Sequence, residues 1–221
     1  MKLSNRMNSI INFLETCGTI ADIGTDHGFI PLEIINRGLA KKVIATDISA
    51  NSLKKTEELV AEYGLEDSIE TRVGDGLTVI GENEVDTIII AGMGGILISE
   101  IIGGFIELAK NTKLILQPMT AEAELKRYLV NNNFRIIDEY LCLDGKKFYQ
   151  TIYVEYGESK KDYDIYISPF WKKDSIYYNY LKNMVGKYKI IVNGLKISDK
   201  DGRLEENEKL LKIYEEALYE G

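Results

Sequence analysis

The chain has one histidine, one tryptophan, three prolines and two cysteines in 221 residues. Cys17 and Cys142 stand far apart, with no CxxC pattern and no nearby histidine. Neither a metal site nor a disulfide is expected, and two free thiols suit a reducing cytoplasm. Long apolar runs are also missing. Stretches such as Thr87–Ile90 fall far short of the ~20 residues a membrane helix needs. No N-terminal segment pairs a basic region with an apolar run and a small-residue cleavage site, so a cytoplasmic protein without a membrane partner is expected. Positive charge is scarce too, the net charge being −8. Taken alone, that disfavours a polyanionic partner. The deficit is uneven, however. Residues 1–158 carry 15 Lys and Arg against 24 Asp and Glu, whereas Lys160–Lys200 carries 9 against 4.

What is present is a regular alternation of elements. Short β-branched runs at Thr19–Gly24, Lys42–Asp47, Ile69–Gly74, Val85–Ala91 and Lys113–Gln117 read as strands. Between them, Pro31–Gly38, Ser49–Tyr63, Gly95–Lys110 and Ala121–Asn131 read as helices. This order implies βαβ units and a parallel sheet covered on both faces. Phe134–Leu143 and Lys147–Tyr156 then form two further strand-like runs around Asp144-Gly145, a strong hairpin signal. Five parallel strands closed by an antiparallel pair match the strand inventory of the α/β, Rossmann-like methyltransferase sheet, so that fold is expected. A polar stretch after Gly157 leads into helical windows at Lys172–Val185 and Arg203–Tyr219. Two domains are expected, 1–158 and 159–221, the second a small helical hairpin, and no protein partner is evident.

The chemistry collects at strand ends. Asp22-Ile-Gly24-Thr25-Asp26-His27-Gly28 sits where the first strand turns into the first helix. Ligands of open α/β sheets bind outside the carboxyl ends of the strands. The two glycines are four residues apart, not in a GxGxxG pattern, and acids surround them. That suits a cationic amino-acid ligand such as S-adenosyl-L-methionine better than a pyrophosphate. Asp47, followed by Ile48, ends the second strand, where a carboxylate accepts from ribose hydroxyls. Gly74-Asp75-Gly76 ends the third, where Asp75 can accept from an adenine amino group. Ala91-Gly92-Met93-Gly94-Gly95 ends the fourth. There Ala91 and Gly92 are expected beside the cofactor, and Met93, Gly94 and Gly95 form a floor for a bulky substrate.

ADIGTDHGFIP, GDGL, IAGMGG and LILQP, with the early Leu3-Ser4-x-Arg6, together resemble the bacterial tRNA adenine-N1-methyltransferase family that modifies adenine 22. The resemblance implies methyl transfer from S-adenosyl-L-methionine to tRNA, and a coiled-coil-like C-terminal extension that holds the RNA. The family pattern has Asn after the Gln-Pro pair; this chain has Met119. Adenine N1 has an in-plane lone pair, so the site needs position more than a strong base. Asp26 is the candidate to stabilise the cationic product, with His27 as a substrate contact or a loop-fixing hydrogen bond. In the tail, aromatic residues interleave with Lys160, Lys161, Lys172, Lys173, Lys182, Lys187 and Lys189. Lys172, Lys173, Lys187 and Lys189 are the candidate phosphate contacts, and about half of the rings are expected to form a helical core. Two other readings stay open. One is a small-molecule methyltransferase with the tail as a lid; the other is a non-catalytic protein that binds an adenosine ligand.

Overall fold

The computed structural model describes residues 3–158 and 163–219, so Lys160 and Lys161 lie outside the described residues. The chain divides into two compact units, Met1–Asp162 and Tyr163–Gly221.

In the first unit seven strands form one sheet: β1 (Cys17–Ile23), β2 (Ala40–Asp47), β3 (Ile69–Val73), β4 (Thr87–Met93), β5 (Lys113–Pro118), β6 (Phe134–Asp144) and β7 (Lys147–Tyr156). Their order is β3-β2-β1-β4-β5-β7-β6. The first five strands run parallel, and β7 pairs antiparallel with both β5 and β6. Consecutive strand residues point to opposite faces, yet Ile88, Ile89 and Ile90 of β4 are all fully buried. Both faces must therefore be covered, which is why this strand is a continuous apolar run. The covering helices are α1 (Asn5–Ile11), α2 (Phe29–Asn36), α3 (Ala50–Tyr63), α4 (Gly95–Gly104), α5 (Ile106–Lys110) and α6 (Glu122–Asn131). β1 has β2 on one side and β4 on the other, so the chain reverses its winding direction there. The crevice opens at the carboxyl ends of these strands.

The helices depart from expectation in two places in this unit. α1 has only seven residues, too few for a periodic signal; Ser4 caps it by accepting from the Met7 N–H. The expected single helix from Gly95 to Lys110 breaks at Phe105 (φ −131°, ψ 42°), directly after Gly103-Gly104. Consecutive glycines weaken a helix by roughly 1 kcal/mol each, enough to place the break there.

The second unit is a pair of helices, α7 (Ser175–Ile197) and α8 (Leu204–Tyr219). The Asp174 carboxylate caps α7 by accepting from the Ile176 and Tyr177 N–H groups. α7 runs well past Val185, where its sequence window closes, because Tyr188 and Val192 continue the stripe that packs in this unit. Trp171, Tyr177, Tyr180 and Tyr214 are buried, and Tyr188 stacks on Tyr214 at 5.5 Å. These aromatic rings form the core of the hairpin, with Trp171 set edge-on to Tyr180 at 5.2 Å.

Candidate functional site

The loop after β1 is built by backbone constraints before any side chain acts. The Thr46 carbonyl at the end of β2 accepts from both Gly24 N–H (2.8 Å) and Thr25 N–H (2.9 Å), which ties the loop to the neighbouring strand. Gly24 has φ +75°, and a Cβ there would lie 2.3 Å from the Met93 methyl. Asp26 is also left-handed, at φ +50°. Non-glycine residues in this conformation concentrate at functional sites. Its carbonyl accepts from the Thr56 hydroxyl of α3 at 3.3 Å, while its side chain stays 63% exposed. His27 Nε2 lies 3.5 Å from the Asp26 carboxylate, and the imidazole stacks on Phe29 with ring centroids 5.5 Å apart.

A cleft of about 770 Å³ opens above this loop. It brings together Asp22, Gly24, Thr25, Asp26 and His27 from the β1 loop with Asp47 and Ile48 from the end of β2. Gly74, Asp75 and Gly76 after β3, and Ala91, Gly92 and Met93 of β4, also line it, as anticipated from sequence. Three anticipated residues do not line it. Gly28 has φ +71° and sits against α3, where a Cβ would come within 2.6 Å of Thr56 Cγ2. Its smallness serves helix packing. Gly95 is buried; a Cβ would meet the Ala121 carbonyl oxygen at 2.3 Å, so it allows α4 to start against the loop after β5. Gly94 faces Thr120 Oγ1 in the same contact.

The cleft also includes residues that the sequence did not single out as site residues: Arg6 and Met7 of α1, Phe29, Thr46, Leu97, Ile101, Met119 and Tyr149. Arg6 stood in the early motif without a role. Thr46 was one residue from Asp47. The remainder are apolar or aromatic side chains drawn from separate elements, and no local pattern marks them.

Its electrostatics are acidic. Burial pushes the Asp22 carboxyl from 3.8 up to about 6, and the Asp47 charge adds to this; the neighbouring Thr25 hydroxyl and Arg6 guanidinium oppose it. Asp22 Oδ2 and Thr46 Oγ1 are buried with no hydrogen-bond partner among the described residues. Native folds rarely leave such atoms unpaired, so polar groups of a ligand fit there. Asp47 Oδ1 accepts from the Ser49 N–H at 2.8 Å, which orients the carboxylate at the rim. Ile48 beside it is 71% exposed, an apolar face next to a hydrogen-bonding acid.

The candidate RNA contacts lie in the second unit. Lys172 and Lys173 precede α7 and are exposed, as is Lys187. Lys189 is exposed as well, and its ammonium pairs with Glu215 of α8 at 2.9 Å, as Lys196 pairs with Glu208 at 3.2 Å. Among the described residues no group of histidines, cysteines and acids could hold a metal ion, and no helix is long and apolar enough to cross a membrane.

The reversed winding at β1 and the carboxylates at three successive strand ends define a methyltransferase domain, and residues 3–152 match the family model of that description. The comparisons also narrow the class. The chain is 32% identical over 182 residues to the tRNA (adenine(22)-N(1))-methyltransferase of Bacillus subtilis, covering 79% of this chain and 76% of that protein. A candidate tRNA (m1A22) methyltransferase of Streptococcus pneumoniae superposes with a TM-score of 0.87 at 28% identity, covering 99% of this chain and 100% of that one. The same Streptococcus protein in complex with S-adenosyl-L-methionine gives a TM-score of 0.88 at 26% identity, covering 99% and 100%. This chain belongs to the tRNA (adenine(22)-N(1))-methyltransferase family.

Proposed function

We propose that the chain transfers a methyl group from S-adenosyl-L-methionine to N1 of adenine 22 in tRNA. The observation that carries this reading is the cleft itself, in which acids from β1, β2 and β3 meet a glycine-rich β4 end. The unpartnered Asp22 Oδ2 and Thr46 Oγ1 fit a polar, cationic ligand. In that fit Asp47 and Asp75 take the ribose and adenine ends, Ile48 packs on the base, and Gly24, Thr25, Gly74, Gly76, Ala91 and Gly92 supply close backbone. The bound cofactor supplies an electrophilic methyl group on a sulfonium.

The protein's task is then placement. Adenine N1 attacks with its own lone pair, so the residues must orient the base and exclude water, a contribution that can reach several kcal/mol. Transfer leaves a cationic adenine. Asp26, held at the cleft by its strained backbone and its carbonyl bond to Thr56, is the carboxylate that faces this charge. His27, stacked on Phe29, extends an aromatic shelf for the base. Met93 lines the same cleft from β4. Because adenine 22 must leave its stack to reach the cleft, the RNA has to be held firmly elsewhere. Domain 159–221 provides that hold, through Lys172, Lys173 and Lys187.

The test uses unmodified tRNA and donor labelled in the methyl group. Label should enter the RNA, and a tRNA with guanine in place of adenine 22 should accept none. Equal labelling of both RNAs would overturn the assignment of the base.

A further inference from the structure

Asp75 takes the adenine end of the donor in the scheme above, yet its side chain is exposed and makes no hydrogen bond among the described residues. The position of its carboxylate therefore follows from the backbone of its turn. That turn is pinned on several sides. The Gly74 N–H donates to the Asp47 carbonyl at 3.0 Å, and the Asp75 carbonyl accepts from the Thr78 N–H at 3.2 Å. Leu77 is fully buried, and Gly76 (φ +56°) lies against α4, where a Cβ would stand 3.3 Å from Ile101 Cγ2. A Cβ on Gly74 would meet Val79 Cγ1 at 2.4 Å, so Val79 folds back over the start of the turn.

One side chain that does not line the cleft closes this loop. Arg72 of β3 donates through Nη1 to the Val79 carbonyl at 2.7 Å and to Glu84 Oε2 at 2.9 Å. Its Nη2 donates to Glu84 Oε1 at 2.6 Å, and its Nε donates to Glu70 Oε1 at 2.7 Å. Glu84 Oε2 also accepts from the Gly81 N–H at 2.8 Å. The hydrogen bonds from Arg72 hold the Glu84 carboxyl down at about 2, so the pair stays ionised near neutral pH. A forked guanidinium–carboxylate pair fixes direction as well as distance. β3 is an edge strand, so no further strand on that side supports the loop. Arg72 does.

We propose that Arg72 is a positioning residue that sets the selectivity of the cleft for adenine: by bracing residues 79–84 against β3 it fixes the Asp75 turn. Adenine presents a donor at its 6-position, where hypoxanthine presents a carbonyl oxygen. A carboxylate held in place accepts from the first and repels the second, whereas one free to swing turns away to water and discriminates less. The inference rests on the methyltransferase reading of the cleft. It places part of the nucleoside selectivity in an ion pair that the ligand does not touch.

Calorimetric titration with two ligands tests this. S-adenosylhomocysteine carries adenine; S-inosylhomocysteine carries hypoxanthine in its place and is otherwise the same. Wild-type protein should bind the adenine ligand at least about tenfold more tightly, the scale of a hydrogen bond to a charged acceptor. Asp75→Asn should erase most of that gap, which ties the gap to this carboxylate. Arg72→Met should narrow it severalfold, chiefly by weakening S-adenosylhomocysteine. Arg72→Lys, with a single ammonium in place of the fork, should recover part of it. Equal weakening of both ligands, or a lowered Tm with the gap intact, would overturn the proposal and leave Arg72 a purely structural brace. If Arg72→Met does not fold, Glu84→Ala decides, because it removes the carboxylate and keeps the guanidinium: an unchanged gap there refutes the brace. A wild-type protein that binds both ligands alike would also overturn the proposal. Binding of neither would instead overturn the methyltransferase reading on which it rests.

Discussion

Replacing Asp22 with Asn should make the ligand-free protein more stable while weakening its hold on the donor. Asp22 is buried at the end of β1, and its carboxyl titrates at about 6 instead of 3.8. The folded state therefore binds this proton more tightly than the unfolded chain does. Between pH 3.8 and 6 the folded protein carries a proton that the unfolded chain has lost, so stability from this group falls as pH rises. By pH 7 the whole penalty is present. A shift of about 2 pH units corresponds to about 3 kcal/mol at 1.36 kcal/mol per unit. Asn keeps the shape and removes the charge. Urea denaturation at pH 7.5 should find Asp22→Asn more stable than wild type by an amount on that order, and the difference should shrink towards pH 5. Titration with S-adenosylhomocysteine should show weaker binding by the variant. A variant no more stable than wild type at pH 7.5 would refute the claim that this carboxylate is held at a cost to the fold.

Other perturbations probe other links. Asp26→Ala should lower kcat with little change in donor affinity, because the proposed contact forms with the product-like charge; paired turnover and calorimetric measurements check this. Gly28→Ala should cost roughly 1–3 kcal/mol in chemical denaturation, since a Cβ at φ +71° would press on Thr56 at 2.6 Å. Lys126 and Glu139 form a fully buried ion pair at 2.6 Å. Lys126→Met should therefore destabilise the fold by about 3–5 kcal/mol, and adding Glu139→Leu should recover much of the loss. Lys172→Gln, Lys173→Gln and Lys187→Gln should weaken tRNA binding and flatten its salt dependence in filter binding. Lys189→Gln should do less, because Glu215 already neutralises that charge.

The strand ends were legible in the sequence because an acid or glycine follows each β-branched run, although β3, at the sheet edge, carries Glu70 and Arg72 and buries only Ile69. Asp22, Asp47 and Asp75 were placed by that rule, and the sheet brings them to one cleft. The glycines were harder to assign, since a missing side chain serves ligand approach and helix packing equally well. Only tertiary neighbours show that Gly28 makes room for Thr56 and Gly95 for the Ala121 carbonyl. Tyr149 was out of reach for another reason. It comes from the antiparallel hairpin, and only the pairing of β7 beside β5 brings it to Arg6 of α1. In the tail, sequence showed the basic excess but not its neutralisation. The partner of Lys189 sits on a different helix, 26 positions along the chain.

The most direct test of the account is where the methyl group lands. N1-methylation blocks the pairing face of adenine and halts reverse transcriptase. Unmodified tRNA treated with the protein and S-adenosyl-L-methionine should give a new stop at adenine 22, absent without donor and lost with the combined Asp47→Ala and Asp75→Ala changes. A methylated tRNA with no stop at position 22, or an undiminished stop from the doubly substituted protein, would contradict the account.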